Sequence, residues 1–106
     1  MTTKLTPITP GEILLEEFIK PLGISENQLA QDIHVPVTRI NGIVNGKKTI
    51  TTDTALRLAR YFGTTAQFWL NLQQHYELEL AEATLADQIL NTIKPLASIA
   101  SNEYET

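Results

Sequence analysis

The sequence predicts an all-α protein: a five-helix domain followed by an additional C-terminal helix. Apolar residues recur at helical spacing along almost the whole chain, with no alternating strand pattern and no internal repeat. Capping and stop residues divide that pattern into short segments. The chain has 106 residues, of which 42% are hydrophobic and 19% charged, which matches one globular domain and argues against disorder.

The first helix is predicted to begin at Pro10. Thr9 precedes it as a cap, and Glu12, three residues after Thr9, completes a capping box. Apolar residues at helical spacing then form one buried stripe, and Pro21 or Gly23 ends the helix.

The second and third helices are predicted to be short. Ser25 and Gln28 form a second capping box, and this helix stops near His34. Pro36 favours a new helix start. The third helix ends before Gly46, which readily takes the left-handed conformation of a C-terminal cap.

The remaining helices follow polar breaks in the sequence. Residues 49–53 form a polar loop, after which Leu56, Ala59 and Phe62 are predicted to line the core face of the fourth helix. The fifth helix follows directly, and a weaker last helix covers residues 85–93.

Three regions are predicted along the chain: an N-terminal arm of residues 1–8, the helical domain of residues 9–82, and a C-terminal helix and tail of residues 83–106. No stretch approaches the roughly 20 apolar residues that span a bilayer. The opening segment lacks the apolar core of a secretory signal peptide, and the chain has no cysteine. We therefore expect a cytoplasmic protein without membrane segments, disulfides or thiolate metal sites.

The formal net charge of −4 is unevenly distributed. Residues 1–60 carry seven Lys or Arg and six Asp or Glu, whereas residues 61–106 carry one Lys and six acidic residues. Within residues 38–60, five basic residues accompany a single acidic one. A basic segment on an acidic body is typical of a local anion-binding surface, although a chance cluster on a solvated surface accounts for the charges equally well.

The second and third helices together indicate a helix-turn-helix motif. They cover residues 25–34 and 36–45 and are joined by a tight turn. Ala30 is small enough for two helices to cross beside it. The apolar wedge between the helices comprises Ile33, Val35, Ile40 and Ile43. In such a motif the second helix enters the DNA major groove, which is about 12 Å wide, and the first helix braces it.

Residues 9–82 resemble the XRE (Cro/phage-repressor type, lambda-repressor-like) helix-turn-helix domains and, more narrowly, the HigA antitoxins of bacterial toxin–antitoxin modules. The matching segments are PGEILLEEFIKPLGIS, LAQDIHVPVTRINGIVNGKKTIT, TALRLARYFGTTAQFWLNLQ and HYELE. The opening P-G-E-x-L and the later F-W-L-N-L-Q narrow the resemblance to the HigA antitoxins. One departure is His34, at a turn position that is usually Gly; His adopts the left-handed conformation at a modest cost.

This resemblance implies a bacterial repressor that binds a palindromic operator of its own operon through the major groove, as a homodimer. It also implies a toxin partner, a RelE/HigB-like messenger-RNA endonuclease, which the antitoxin neutralises by direct binding.

The first turn of the third helix is expected to meet base edges. Its outward residues are Val37, Thr38, Asn41 and, on the flank, Arg39. The hydroxyl of Thr38 can donate or accept a hydrogen bond, and its methyl can contact a thymine methyl. Asn41 can pair with adenine, and Arg39 with guanine or phosphate. The alternative is that these are ordinary exposed residues. Arg57 and Arg60, on the fourth helix, are interpreted mainly as ion-pair or solvent residues.

Further residues on both sides of the motif are candidates for contacts with phosphates. They are Ser25, Gln28, Asn45, Lys47, Lys48 and Thr49. Residues 47–49 form a phosphate clamp, or else a basic solvated loop. Gln28 resembles the phosphate-contacting Gln of the family, and Ser25 lies beside it at a helix N-terminus, although both also serve as caps. Asn45 reaches a base or a phosphate, or else caps the third helix.

The fifth helix has more apolar residues than one narrow stripe requires, which predicts a second buried surface. Trp69, Leu72 and Tyr76 are therefore the predicted homodimer interface, in which pairing would separate two third helices by about one DNA turn, roughly 34 Å. The alternative is that all three residues belong to the core.

The C-terminal part is acidic and is one candidate contact for a basic toxin; the N-terminal arm is the other. Its acidic residues are Glu77, Glu79, Glu82, Asp87, Glu103 and Glu105. The alternative is that these charges only keep the chain soluble.

Catalysis has little support in the sequence, and we expect no enzyme, cofactor or metal site. His34 and His75 lie on different elements without metal-ligand spacing, and no glycine-rich phosphate loop is present. Glu16 and Glu17 are neighbours that point apart on a helix. Two alternatives to an antitoxin stay open: a stand-alone transcription regulator without a toxin, and a protein-interaction domain that has lost DNA binding.

Overall fold

Residues 7–96 are described in the computed structural model, and within them the chain forms five helices and no strand. The helices are α1 (residues 10–22), α2 (Glu26–Ile33), α3 (Val37–Val44), α4 (Thr52–Phe62) and α5 (Ala66–Thr92). The all-α prediction is confirmed. The predicted C-terminal helix is present as the outer half of α5, so the predicted boundary between residues 82 and 83 falls inside a helix. Most of the predicted arm, residues 1–6, and the tail from residue 97 onward lie outside the described residues.

Helix α1 is continuous but contains a wider stretch in its middle. The α-helical segments Pro10–Ile13 and Lys20–Leu22 flank a π-helical segment, Leu14–Ile19. There the N–H of Lys20 donates to the carbonyl of Leu15, five residues earlier. The wide stretch lies just before Pro21, whose ring would clash with the carbonyl four residues back in a regular α-helix. Pro21 is thereby kept within the helix, and Gly23, left-handed at φ 70°, ends it.

Polar caps begin the first two helices as predicted. The Thr9 hydroxyl accepts the N–H of Glu12 at 3.1 Å, and the Ser25 hydroxyl accepts the N–H of Gln28 at 2.9 Å. Neither predicted capping box is complete within the described residues. The Glu12 side chain makes no return bond to the N–H of Thr9, and the side chain of Gln28 donates to Asp32 at 2.8 Å instead of reaching back to the cap. Ser25 therefore caps α2 without a reciprocal bond from Gln28.

A tight turn joins α2 to α3 at His34. This residue is left-handed, with φ 62° and ψ 47°, and it is the one non-glycine residue with positive φ in the described range. The N–H of His34 donates to the carbonyl of Gln31 at 3.2 Å, and the N–H of Val35 donates to that of Ala30 at 3.0 Å. Ala30 is buried where the two helices cross. The predicted helix-turn-helix is confirmed at the level of its backbone.

The core is organised around Trp69, which is completely buried. Its ring centroid lies 4.8 Å from that of Phe18, 5.0 Å from that of Phe68 and 6.1 Å from that of Phe62. Its indole N–H donates to the hydroxyl of Thr64 at 2.7 Å. The assignment of Trp69 to a dimer interface is therefore wrong, because aromatic rings from α1, α4 and α5 leave it no exposed surface.

The core face of α4 differs from the predicted one at a single residue. Leu56 is 59% exposed, whereas Ala55 and Leu58 are fully buried and Ala59 and Phe62 pack against the core. Each residue turns a helix by about 100°, so Leu56 lies beside this stripe and not within it.

The outer half of α5 extends beyond the core. The helix has 27 residues, which corresponds to about 40 Å, and the longest dimension of the described chain is 55 Å. Leu78, Leu85 and Ile89 are exposed there and lie within about 40° of one another around the helix axis. Within residues 7–96, no helix is both long and apolar enough to cross a membrane.

The close backbone approach between α1 and α3 yields a stability prediction. A Cβ at Gly11 would overlap the carbonyl oxygen of Ile43. We expect Gly11→Ala to lower the free energy of unfolding by about 1–3 kcal/mol, because two backbones must separate. This is the reverse of the usual helical preference for Ala over Gly. Urea unfolding monitored by circular dichroism measures the change.

A matched control is available at Gly42, in the middle of α3. The nearest atoms to a Cβ there are Cδ, Cγ and Cβ of the Lys48 side chain, at 2.6–3.2 Å, and not backbone atoms. Gly42→Ala should therefore lower the free energy of unfolding less than Gly11→Ala does, because one side chain must shift instead of two backbones. Equal effects of the two substitutions would contradict the close contact of α1 with α3.

Candidate nucleic-acid interface

Three cations of the basic segment surround one groove beside α3. Arg39, Lys47 and Lys48 line it, and its volume is about 610 Å³. The other lining residues are Thr49, Thr51, Asp53 and Thr54. Clustered cations with hydroxyl groups between them form a surface that attracts phosphate groups. The groove therefore unites four of the predicted phosphate or base contacts: Arg39, Lys47, Lys48 and Thr49.

The loop after α3 holds its lysines on a fixed backbone. The N–H groups of Lys47 and Lys48 both donate to the carbonyl of Gly42, at 2.8 and 3.0 Å, and Gly46 is left-handed at φ 76°. Both lysines and Thr49 are exposed. The loop thus presents positive charge to solvent without being free to change its path.

Gln73 ties this loop to α5. Its side-chain oxygen accepts the N–H of the buried residue Ile50 at 2.9 Å, and its nitrogen donates to Glu77 at 3.0 Å. Gln73 is only 8% exposed. The sequence did not assign it a role; its sole signal was its position at the end of the F-W-L-N-L-Q segment.

Arg39, in the first turn of α3, is bound to an acidic residue of α4. Its guanidinium donates to Asp53 at 2.6 Å, and the Nε of Arg57 donates to both oxygens of the same carboxylate at 3.1 Å. The hydrogen bond from Arg39, and then that from Arg57, holds the pKa of Asp53 below its usual value of 3.8. The interpretation of Arg57 as an ion-pair residue is confirmed, whereas the role of Asp53 was not foreseen.

Asn41 is also held by a carboxylate. Its side-chain nitrogen donates to Glu26 in the first turn of α2, and Asn41 is half-buried. The expectation of a simply outward-facing Asn41 is therefore corrected: one of its amide donors is engaged within the motif. Glu26 was not among the predicted site residues.

The other residues predicted at the interface differ in exposure. Thr38 and Asn45 are exposed, and Asn45 is the C-terminal cap of α3. Val37 was predicted to face outward, but it is half-buried and packs against the core. Only part of this side chain faces solvent.

Ser25 and Gln28 lie exposed at the N-terminus of α2. The Gln28 amide is bound to Asp32, which also accepts the hydroxyl of Tyr61 at 2.6 Å. This last hydrogen bond raises the pKa of Tyr61 above its usual value of 10.0. Gln28 would have to release Asp32, or use its carbonyl oxygen, to meet another partner.

The two remaining residues of the predicted dimer interface are half-buried. Leu72 packs against the core, and Tyr76 lines a small cavity of about 70 Å³ that also includes Thr9 and Gly46. Each keeps some exposed surface on α5.

No group of three or more histidine or acidic side chains arranged to hold a metal ion occurs in the described part of the chain. The groove is lined by three cations, three hydroxyl side chains and one carboxylate, that of Asp53, and its excess of positive charge suits the binding of an anionic polymer.

Comparisons with known proteins connect this geometry to a family. A family model described as Helix-turn-helix matches residues 15–69. Virulence-associated protein I of Dichelobacter nodosus is 50% identical over 99 residues, which cover 93% of this chain and 90% of that protein. Antitoxin HigA-1 of Vibrio cholerae is 37% identical over 72% of this chain and 71% of its own length.

A solved structure is similar in both sequence and fold. The Pseudomonas aeruginosa antitoxin HigA, determined with the higBA promoter, is 47% identical and superposes with a TM-score of 0.83. The match covers 85% of this chain and 98% of that structure. The chain belongs to the XRE-type helix-turn-helix family and is HigA-like in sequence and fold.

Proposed function

We propose that this protein is a sequence-specific DNA-binding repressor that acts as the antitoxin of a toxin–antitoxin module. It represses its own operon and neutralises a RelE/HigB-like toxin by direct binding. The observation that carries the proposal is the cationic groove beside α3, in a fold shared with an antitoxin solved on promoter DNA. We assign the chain to binding rather than to catalysis.

In the proposed complex, α3 is the recognition helix and lies in the major groove. Its side chains Thr38, Arg39 and Asn41 meet base edges, and the exposed part of Val37 contacts a thymine methyl. Phosphate contacts come from the flanks of the helix. They are assigned to Ser25, Gln28, Asn45, Lys47, Lys48 and Thr49.

Two substitutions separate base reading from phosphate attraction. Arg39→Ala should weaken operator binding by about 1–3 kcal/mol and reduce the preference for operator over random DNA, because a guanine contact is lost. Lys47→Ala should weaken binding to both DNAs by the same factor, because phosphates are common to all sequences. Fluorescence anisotropy measures both affinities, with an operator first selected from randomised duplexes.

The chain offers matched controls for both substitutions. Arg60 and Lys94 are exposed cations outside the groove, so Arg60→Ala and Lys94→Ala should change neither affinity appreciably. An unchanged preference in Arg39→Ala, or a loss confined to the operator in Lys47→Ala, would contradict the assignments.

We also propose a homodimer that pairs through α5. Leu72 and Tyr76 keep exposed surface on one side of α5, and Leu78, Leu85 and Ile89 form a second exposed apolar face at least 100° away from them around the helix axis. Both faces are open to a second copy of the chain. A stripe that pairs with its own copy makes a two-fold interface, which matches a palindromic operator with half-sites about 34 Å apart.

Sedimentation equilibrium tests the dimer. At tens of micromolar the protein should sediment at twice its mass of 11.8 kDa. Leu85→Glu should shift it to monomers, because a charge would be buried at the interface. Thr84→Glu, an equal charge change on the side of α5 between the two apolar faces, should leave the dimer intact. A monomeric unmodified protein would refute the pairing.

The proposed toxin contact is the acidic outer half of α5. It comprises residues 77–82 of the helix and the C-terminal region of residues 83–106 that follows them. Glu77, Glu79, Glu82 and Asp87 are exposed on this helix. A toxin that binds messenger RNA carries basic surface, which an acidic helix complements. The arm of residues 1–8 is the second proposed contact.

Co-expression tests the antitoxin function. The adjacent reading frame is expressed with an affinity tag, alone and together with this protein. We expect the neighbour alone to arrest growth, and this protein to restore growth and co-elute with the tag. A harmless neighbour that captures nothing would favour the alternative, a stand-alone regulator without a toxin.

A further inference from the structure

We infer that Asp53 is a specificity-determining residue: it positions Arg39 so that the guanidinium meets bases in preference to phosphates. The inference rests on the proposed DNA binding and extends it to an acidic residue, whose negative charge repels the phosphates of DNA. Asp53 lies in the first turn of α4 and lines the same groove as Lys47 and Lys48.

The geometry leaves Arg39 able to bind DNA while it stays bound to Asp53. Only NH1 of the guanidinium donates to the carboxylate, at 2.6 Å. An arginine side chain has five N–H donors in a planar fork, and a guanine edge requires two of them. The carboxylate therefore fixes the plane of the fork without using the donors that a base would accept.

Asp53 is itself held in place from the turn of the motif. The Nε of Arg57 donates to both carboxylate oxygens at 3.1 Å, and its NH1 donates to the carbonyl of Ile33 at 2.8 Å. Ile33 is the last residue of α2. A continuous chain of hydrogen bonds thus runs from α2 through Arg57 and Asp53 to Arg39 on α3.

The charge of Asp53 also argues for selectivity. An unrestrained arginine at the DNA surface binds the nearest phosphate, whatever the sequence. A carboxylate beside the guanidinium repels phosphate and neutralises part of the charge that would attract it. Asp53 therefore lowers binding to random DNA and preserves a correctly oriented contact with one base.

Asp53→Asn tests the inference on two probes, the selected operator duplex and a shuffled duplex of the same length and composition. We expect a several-fold gain in affinity for the shuffled duplex and a fall of about tenfold in the operator preference, the scale of one lost base contact. In an Arg39→Ala background the same substitution should leave the preference unchanged, because Asp53 acts through Arg39.

Two matched variants separate the positioning of Arg39 from a general change in charge or in side-chain shape. Glu17→Gln makes the same charge change at an exposed position on α1 and should leave the operator preference unchanged. Asp53→Ser removes the carboxylate with a residue common at helix starts and should reproduce the Asp53→Asn result. Thermal unfolding shows that each variant is folded at the temperature of the binding measurement.

The outcomes separate this inference from the proposed function. An unmodified protein that binds both duplexes equally would overturn the proposed DNA reading and this inference with it. An unmodified protein that prefers its operator, together with Asp53 variants of undiminished preference, would overturn the inference alone. A loss of preference that persists in the Arg39→Ala background would overturn it as well.

Discussion

At His34 the backbone is left-handed, and the direction in which α3 leaves α2 depends on this residue. Such a conformation costs a non-glycine residue about 1–2 kcal/mol, so neighbouring contacts must maintain it. The N–H of Val35 bonds back to Ala30, and the guanidinium of Arg57 donates to the carbonyl of Ile33 and, at 3.4 Å, to that of His34. Arg57 of α4 therefore closes the turn from outside, and its Nε also donates to the carboxylate of Asp53, which binds Arg39 of α3.

Helix α5 supports the site from behind at two points. Trp69 fills the centre of the aromatic core and brings α1, α4 and α5 together. One helical turn later, Gln73 bonds the loop that carries Lys47 and Lys48. Both residues lie on the inner side of the helix, so the position of the lysines depends on the packing of the tryptophan. The outer half of α5 takes no part in the Trp69 core or in the contact of Gln73 with the loop, so its exposed apolar and acidic residues are available to other partners.

Local patterns account for the features that could be predicted from the sequence. The caps at Thr9 and Ser25 depend on groups three residues apart, and they formed as expected. Residue type and spacing also predicted Arg39 in the first turn of the third helix, where it lines the cationic groove. The contacts that failed to be predicted join distant positions: the pairs Arg39–Asp53, Asn41–Glu26 and Ile50–Gln73 are 14, 15 and 23 residues apart. Trp69 was misplaced for the same reason, because its partner Phe18 comes from the other end of the domain.

The net negative charge of the chain is compatible with the proposed DNA binding, because the positions of the charges matter more than their sum. Lys47 and Lys48 have no carboxylate in the described ion pairs, so their charge remains available to any phosphate. Arg39 and Asn41 are bound to Asp53 and Glu26, so in the proposed complex they would meet DNA already oriented. Orientation before binding lowers the entropy lost on contact and penalises a base that does not fit. In the proposed complex, acidic residues beside the contacting side chains would therefore reduce general affinity for DNA and sharpen the choice of sequence, and the lysines would supply the attraction that the carboxylates remove.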